Sequence, residues 1–535
     1  MAKGQVERKS VVDFSRGMNT LFSESSLPDG DSPYMLNAEL LETGSVKKRN
    51  GYQIFGTEQS DFSDGVVNMG LFKGSDGTEI LLANGGTKIK YYDTGSTDWV
   101  DLPSLPTIGT SGERFDYIMY QDLVIMASQS EHFSWDGSGA VTDENTGSAI
   151  STHAGLGDIL MLDGELRRVY MSGDDDNSST VYVSDTDDYT NYDPATDATS
   201  ILVYEEDGSK ITGMAMVFRN RYVIKENKIV RLEYNADSGV HTPIIVDAIH
   251  GAIGKDAWAL GENQVFFFTG TEIRAFGEFA NLTSEQSFDI GLKIKPSILA
   301  DMDENYLKTA RLEYFSKKII LTYASVDAQT AGVHDKQIIL DLNVPAEGNL
   351  ASSGGFWDLP MRASIAIRND LYFAEPNNGK IHVFDDTYND NGAAISFVYE
   401  TKADDLGDPH QYGLMRYIDF QFKNTVGSVT STFIAEDNSG TNSSQVTFNI
   451  SATGYTTLFG WHYLQWIASP WHVGLLSAST QSLKLVRKRH PLRLRGQNIK
   501  LEIRNNTVNE TLTLTRLDFV FVANNFRRYS HAHVV

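Results

Sequence analysis

The side chains best suited to chemistry in this sequence are clustered carboxylates and one run of bases. From Val169 to Ser209 there are eleven acids and no Lys or Arg, with Asp174, Asp175 and Asp176 consecutive in "GDDDNSS". A hard cation such as Ca²⁺ takes six to eight oxygens, so this loop has the right atoms. It lacks the alternating D-x-D-x-D-G order of a known cation loop, and a solvated acidic loop between strands is the expectation; no metal is predicted. The bases lie between Lys484 and Arg504, where Arg487, Lys488, Arg489, Arg493 and Arg495 crowd into "VRKRHPLRLR". Alternation along a strand would put Arg493 and Arg495 on one face. Such a face suits phosphates or an acidic neighbouring subunit. The second is favoured in a chain of 70 acids against 45 bases and net charge −25.

Other chemistry finds no nominee. There is no cysteine, which removes disulfides, thiolate metal sites and cysteine nucleophiles and fits folding in a reducing cytoplasm. No phosphate loop, G-x-S-x-G or H-E-x-x-H occurs. Paired carboxylates for glycoside hydrolysis can be drawn from 70 acids, but no pair stands out. "YYDTGSTDW" (Tyr91 to Trp99) resembles the aspartate-box turn of sialidase propellers, with an extra residue before Trp99 and no Ser two positions ahead of Asp93. It reads as an ordinary hairpin. No enzyme and no cofactor are expected. No apolar run nears the ~18 residues of a membrane helix, so no membrane-spanning segment is expected.

The elements that would position these residues are strands. Forty-five glycines with 24 Tyr and 27 Phe suit strands joined by tight turns. One unit recurs: apolar strand, polar turn, apolar strand, looser connection, as in "LFKGSDGTEILLANGGTKIKYYDTGSTDWVDL" from Leu71. Copies begin near 71, 115, 166, 211, 256, 311 and 364, spaced 44 to 55 residues apart. Periods of ~40 to 50 residues belong to propeller blades, which bury their faces only by stacking on neighbours. The expectation is an all-β chain: an extended N-terminal arm over 1–59, a β-propeller of about seven blade-like units over 60–391, and a β-sandwich-like C-terminal domain over 392–535. Part of the N-terminal segment would close the ring.

The opening "LPDGDSPYMLNAELLETGSVKKRNGY" (Leu27 to Tyr52) reads as a docking arm. It carries a short apolar segment with Tyr34, Met35 and Leu36 and a basic cluster of Lys47, Lys48 and Arg49. With the propeller units and the late basic strand "VRKRHPLRLRGQNIKLEIRN", this order resembles the tail nozzle (hub) proteins of short-tailed bacteriophages, also called tail tubular B-like or packaged-DNA stabilisation proteins. The resemblance implies a virion tail component assembled in the host cytoplasm. It implies a homo-oligomeric ring of six copies below a tail adaptor, transit of double-stranded DNA through the centre, and docking of tail fibres or tailspikes. Within the arm, it implies that the apolar segment is the anchor and that the basic cluster pairs with acids of the ring or a neighbour. An acidic lumen would let DNA slide rather than bind. The alternatives are a tail-tip or baseplate propeller away from the channel, or a propeller that binds or hydrolyses polysaccharide.

Overall fold

The computed structural model describes residues 6–523, apart from 63, 146–149, 151–156, 218, 278–286, 346–349, 405–412, 424–427, 437–442, 452–484, 492–494 and 497. Strands dominate, and helix is confined to short segments such as Lys295–Asp301. Two units are separable: one of Tyr52–Ile339 with Asp358–Asp385, the other of Met1–Gly51, Leu340–Trp357 and Asp386–Val535.

The first unit is a β-propeller. Four-stranded antiparallel sheets follow one another along the chain, each built by hairpins in sequence order. Their first strands are Val66–Lys73, Asp116–Tyr120, Ile159–Asp163, Ile211–Val217 and Trp258–Gly261; Arg311–Phe315 and Ala363–Ile367 start further repeats. These strands adjoin in cyclic order: Ala363–Ile367 lies beside Arg311–Phe315 on one side and Val66–Lys73 on the other. The repeat begun by Arg311–Phe315 continues through Lys318–Tyr323 and Lys336–Pro345. The third repeat begins one strand before its expected start at 166, because "DILMLDGE" already supplies a buried strand.

Each sheet is covered on both faces, so its strands read as continuous apolar runs such as "LVIMA" (Leu123–Ala127). Phe72, Leu82 and Ile89 of one sheet share a core with Val124, Met126 and Trp135 of the next. On its other face the second sheet packs Ile125 and Ala127 against Leu160 and Met171. First strands approach closely where glycine removes a side chain. A Cβ on Gly70 would sit 2.3 Å from the Tyr117 ring, and one on Gly213 2.3 Å from the indole of Trp258.

The last sheet is completed from the other end of the sequence. Tyr52–Ile54 pairs antiparallel with Ile381–Phe384, placing Tyr52 opposite Phe384, Gln53 opposite Val383 and Ile54 opposite His382. The Tyr52 ring is buried edge-on against Phe373 and His382, with centroids 5.1 and 4.8 Å away. Trp99 of the first sheet shares a core with Ala374 and Ile381 of this last one, so the circle is closed.

The second unit holds two sheets. In one, Thr513–Ala523 is paired by Gly413–Lys423, by Val6–Val11 and by Ser45–Lys48. In the other, Met35–Leu36 lies between Ala351–Trp357 and Phe397–Glu400, and Asn498–Asn505 and Ser428–Glu436 continue the order. Apolar residues alternate inward, as in Ile499, Leu501 and Ile503. Residues 6–51 thus supply four strands to a folded unit rather than forming an extended arm, and the division falls at 51/52, with 340–357 joining this unit. Hydrophobic pattern reveals strands locally but not partners 300 to 500 residues away.

Candidate functional site

The residues singled out in the opening segment are mostly taken up within their own chain. Met35, Lys48 and Arg49 are buried, which withdraws them from any neighbour. Arg49 donates to Asp390 through Nη1 at 2.8 Å and Nη2 at 2.6 Å, and its Nε donates to Asn37 Oδ1 at 2.8 Å. A guanidinium at zero exposure requires such bidentate pairing, since an isolated buried charge is costly. Lys48 Nζ donates to Asn505 Oδ1 at 2.8 Å, and burial lowers its pKa to about 8. Lys47 pairs with Glu39 across the hairpin at 3.0 Å. Leu36 is half-buried, while Tyr34 stays partly exposed with its ring tilted against Phe356.

In the basic stretch, Arg489 stacks over the Tyr417 ring at 4.0 Å and pairs through Nε with Asp419 at 2.7 Å. Its charge is therefore largely answered inside the chain. Lys488 is half-buried on the same strand, Leu485–Pro491. Arg487 and Arg495 lie on strands Leu485–Pro491 and Arg495–Gly496, with side chains outside those described; Arg493 lies outside the described residues. The acidic loop closes on itself. Asp174 accepts from the Asp176 backbone at 2.9 Å, from Asn177 at 2.8 Å and from the Tyr182 hydroxyl at 3.2 Å, while Asp175 pairs with Lys210 at 2.9 Å. Among the described residues, no group of three or more His, Cys, Asp or Glu is arranged to hold a metal. Among them, too, no helix is long and apolar enough to cross a membrane.

The structure gathers a different set of charges at the axis of the propeller. A cavity of about 490 Å³ is lined by Arg114, Lys255, Asp256, Lys308, Arg311, His334 and Arg362, among others. An adjoining one of about 150 Å³ shares Arg114, Lys255, Asp256 and Arg311 and adds Asp116 and Glu313. Most of these residues sit at or just before the first strand of a repeat: Arg114 before Asp116–Tyr120, Lys255 and Asp256 before Trp258–Gly261, Arg311 at the head of Arg311–Phe315, Arg362 before Ala363–Ile367. Four of the repeats therefore deliver an entry residue to this cavity. That signal is present in the sequence as a charge one or two positions ahead of an apolar strand, as in "ERFDYIMY", "KDAWALG", "ARLEYF" and "MRASIAI".

Asp256 is clamped between two guanidiniums, Arg114 Nε at 2.9 Å and Arg311 Nη2 at 2.9 Å. Burial works against its charge, yet those two cations prevail and bring its pKa down to about 2. Lys255 donates to Asp158 at 2.5 Å, and Lys308 to Glu226 at 2.5 Å. Arg311 also donates to the Asn68 amide oxygen at 3.2 Å and the Val67 carbonyl at 2.5 Å. Arg362 donates to the Asp64 backbone carbonyl, and burial lowers its pKa. Burial, with Arg311 and Arg362 nearby, pushes His334 down to about 4, so the ring is neutral near pH 7. Its Nε2 lies 3.2 Å from Thr309 Oγ1, and its buried Nδ1 has no hydrogen-bond partner among the described residues. Deeper in, burial raises Glu313 to about 7 although Ser364 Oγ donates to it at 3.0 Å; burial raises Asp116 as well. The arrangement holds Asp256 ionised between two guanidiniums and keeps Glu313 and Asp116 reluctant to ionise beside it.

No family model matches the chain, and no curated protein does so either. Similar solved structures include the Pan2 WD40 domain of Neurospora crassa, at 9% identity and TM-score 0.39 over 63% of this chain and 96% of that one. YCF48 from Cyanidioschyzon merolae is similar at 10% identity and TM-score 0.36, over 62% and 98%. An auxiliary nutrient binding protein from Bacteroides thetaiotaomicron is similar at 10% identity and TM-score 0.32, over 62% and 75%. The propeller assignment rests on the cyclic strand order and sheet pairing described above.

Proposed function

We propose that this chain is a structural, non-catalytic subunit of a short-tailed bacteriophage tail: a nozzle protein whose copies, six to a ring, continue the DNA channel below the tail adaptor. In this reading the propeller has seven blades, the second unit is a β-sandwich that builds the ring, and the propeller serves as the holdfast for fibres or tailspikes. A closed ring requires rigid subunits with matching surfaces.

The observation that carries the reading is the fate of the opening segment, where the resemblance is densest. Leu27 to Tyr52 contributes Met35–Leu36, Ala38–Leu41 and Ser45–Lys48 to sheets whose other strands come largely from residues 397 to 523. Its buried Arg49 and Lys48 lock it there. The opening and closing stretches that resemble a nozzle protein thus form one body, as a ring-building platform would need. The excess of acids, 70 against 45 bases, suits a surface past which DNA slides.

Quantitative mass spectrometry of purified particles from the source tests this directly. Six copies per portal ring, or a multiple tied to it, is the expected count. Absence from particles overturns the assignment, and a copy number matching the fibres instead would move the protein to the tail tip.

A further inference from the structure

We propose that the axial cavity of the propeller is a binding site for a small ligand carrying a carboxylate or phosphate group, held by Arg362, Arg311 and Arg114. The inference is independent of the tail assignment, since it concerns the propeller alone.

In a chain of net charge −25, the larger cavity is lined by Arg114, Lys255, Lys308, Arg311 and Arg362 with Asp256, while Asp158 and Glu226 behind the lining answer Lys255 and Lys308 and leave the three arginines in excess. A concentration of cations opposite in sign to the whole protein is the reverse of what a solvated surface would scatter there, and low-dielectric walls focus its field on an incoming anion. Much of the donor capacity is unspent. Among the described residues Arg362 makes no ion pair, and its side chain meets only the Asp64 carbonyl. Arg114 commits Nε to Asp256 and Nη1 to Asp158, and Nη2 makes no hydrogen bond among the described residues. Planar guanidiniums match the two oxygens of a carboxylate or phosphate better than an ammonium does.

A second, separate observation points the same way. His334 lines the cavity at 6% exposure, and its Nδ1 has no hydrogen-bond partner among the described residues. A buried polar atom left unsatisfied costs stability unless something fills the place. A ligand hydroxyl would do so, since it can donate to the ring nitrogen or accept from it according to the tautomer. The volume, about 490 Å³, lies in the range of small-molecule sites. Tyr306, Pro376 and Asn377 on the lining give a partly apolar, partly polar wall of the kind that a sugar ring packs on.

The test uses the full chain and calorimetric titration with three probes: digalacturonate for the carboxylate source, glucose 6-phosphate for the phosphate source, and neutral maltose. At least one anion is expected to bind saturably at one per chain, with maltose inert; the anion that binds names the source. Arg362→Gln should weaken it about tenfold or more. Lys210→Gln, which removes one charge outside the cavity, should leave it unchanged. The side-chain signals of His334 in the wild-type protein should shift with the same saturation, which serves as readout if Arg362→Gln fails to fold. The proposal is overturned if neither anion saturates, if maltose binds equally, if the two variants weaken binding alike, or if His334 stays unmoved.

Discussion

If the propeller is closed by Tyr52–Ile54, cutting that seam should loosen the last sheet before the others. The perturbation is Tyr52→Ala. Its ring is 9% exposed and meets Phe373 and His382 edge-on. Truncating a buried aromatic costs about 3–5 kcal/mol, of which two edge-on contacts supply about 1–2 kcal/mol. That is a large part of the ~5–15 kcal/mol that holds a typical domain together. Gln53→Pro gives an independent cut without touching the core, since Gln53 is exposed. Phe55 N–H donates to the Ile381 carbonyl at 2.7 Å, so antiparallel alternation directs the Gln53 N–H at Val383. Proline deletes that donor and leaves a carbonyl unanswered, about 1–3 kcal/mol, whereas Gln53→Ala should be nearly silent. The assay is amide hydrogen exchange read strand by strand. Both Tyr52→Ala and Gln53→Pro should speed exchange in Ile381–Phe384 more than in Ile211–Val217, on the far side of the cycle. Unchanged protection of Ile381–Phe384 in both variants would refute the closure.

Arg49→Ala strands Asp390 and should destabilise the second unit by about 3–5 kcal/mol, with Asp390→Asn non-additive to it in urea unfolding. Glu313, raised by burial to about 7 from 4.5, keeps its proton in the folded state where the unfolded chain has lost it. Stability should therefore fall as pH rises from about 4.5 to 7, and Glu313→Gln should flatten that slope in thermal melts. Asp256 has the opposite sign: its pKa falls from 3.8 to about 2, so its contribution is full above 3.8 and is lost as pH drops towards 2. Asp256→Asn should remove that part of the acid transition. Lys48, lowered by burial to about 8 from 10.5, should make the second unit more stable as pH rises from about 8 to 10.5, a rise absent in Lys48→Met.

The repeats were legible because their signals are local. Turn chemistry in "KGSDGT" or "ANGGTK" and flanking apolar runs mark hairpins without reference to anything distant. Pairing across long separations leaves no such mark. Nothing in "MLNAEL" announces that Met35 faces Tyr399, or that Val46 faces Leu514. The basic cluster at 47–49 shows why charge alone misleads: Lys48 and Arg49 look like docking residues and are interior ones, because Asn505 and Asp390 arrive from far along the chain to receive them. The axial cations were missed for the converse reason. Arg114, Arg311 and Arg362 are single charges in unrelated contexts, and only the cyclic order of the strands brings them together.

Placing strand Tyr52–Ile54 against Ile381–Phe384, and Val6–Val11 against Thr513–Ala523, also sets a timetable. A ribosome adding about 5–20 residues per second needs roughly 15–65 s to travel from Tyr52 to Phe384. Until then Tyr52–Ile54 has no sheet to join, Met35–Leu36 waits for Phe397–Glu400, and Val6–Val11 and Ser45–Lys48 wait longer still, for partners beyond residue 500. A message broken early would yield chains with Met35 and Val46 permanently uncovered, recognisable to chaperones and proteases. The interleaving of first and last strands acts as a completeness check: only a chain translated through its late strands can bury its own beginning.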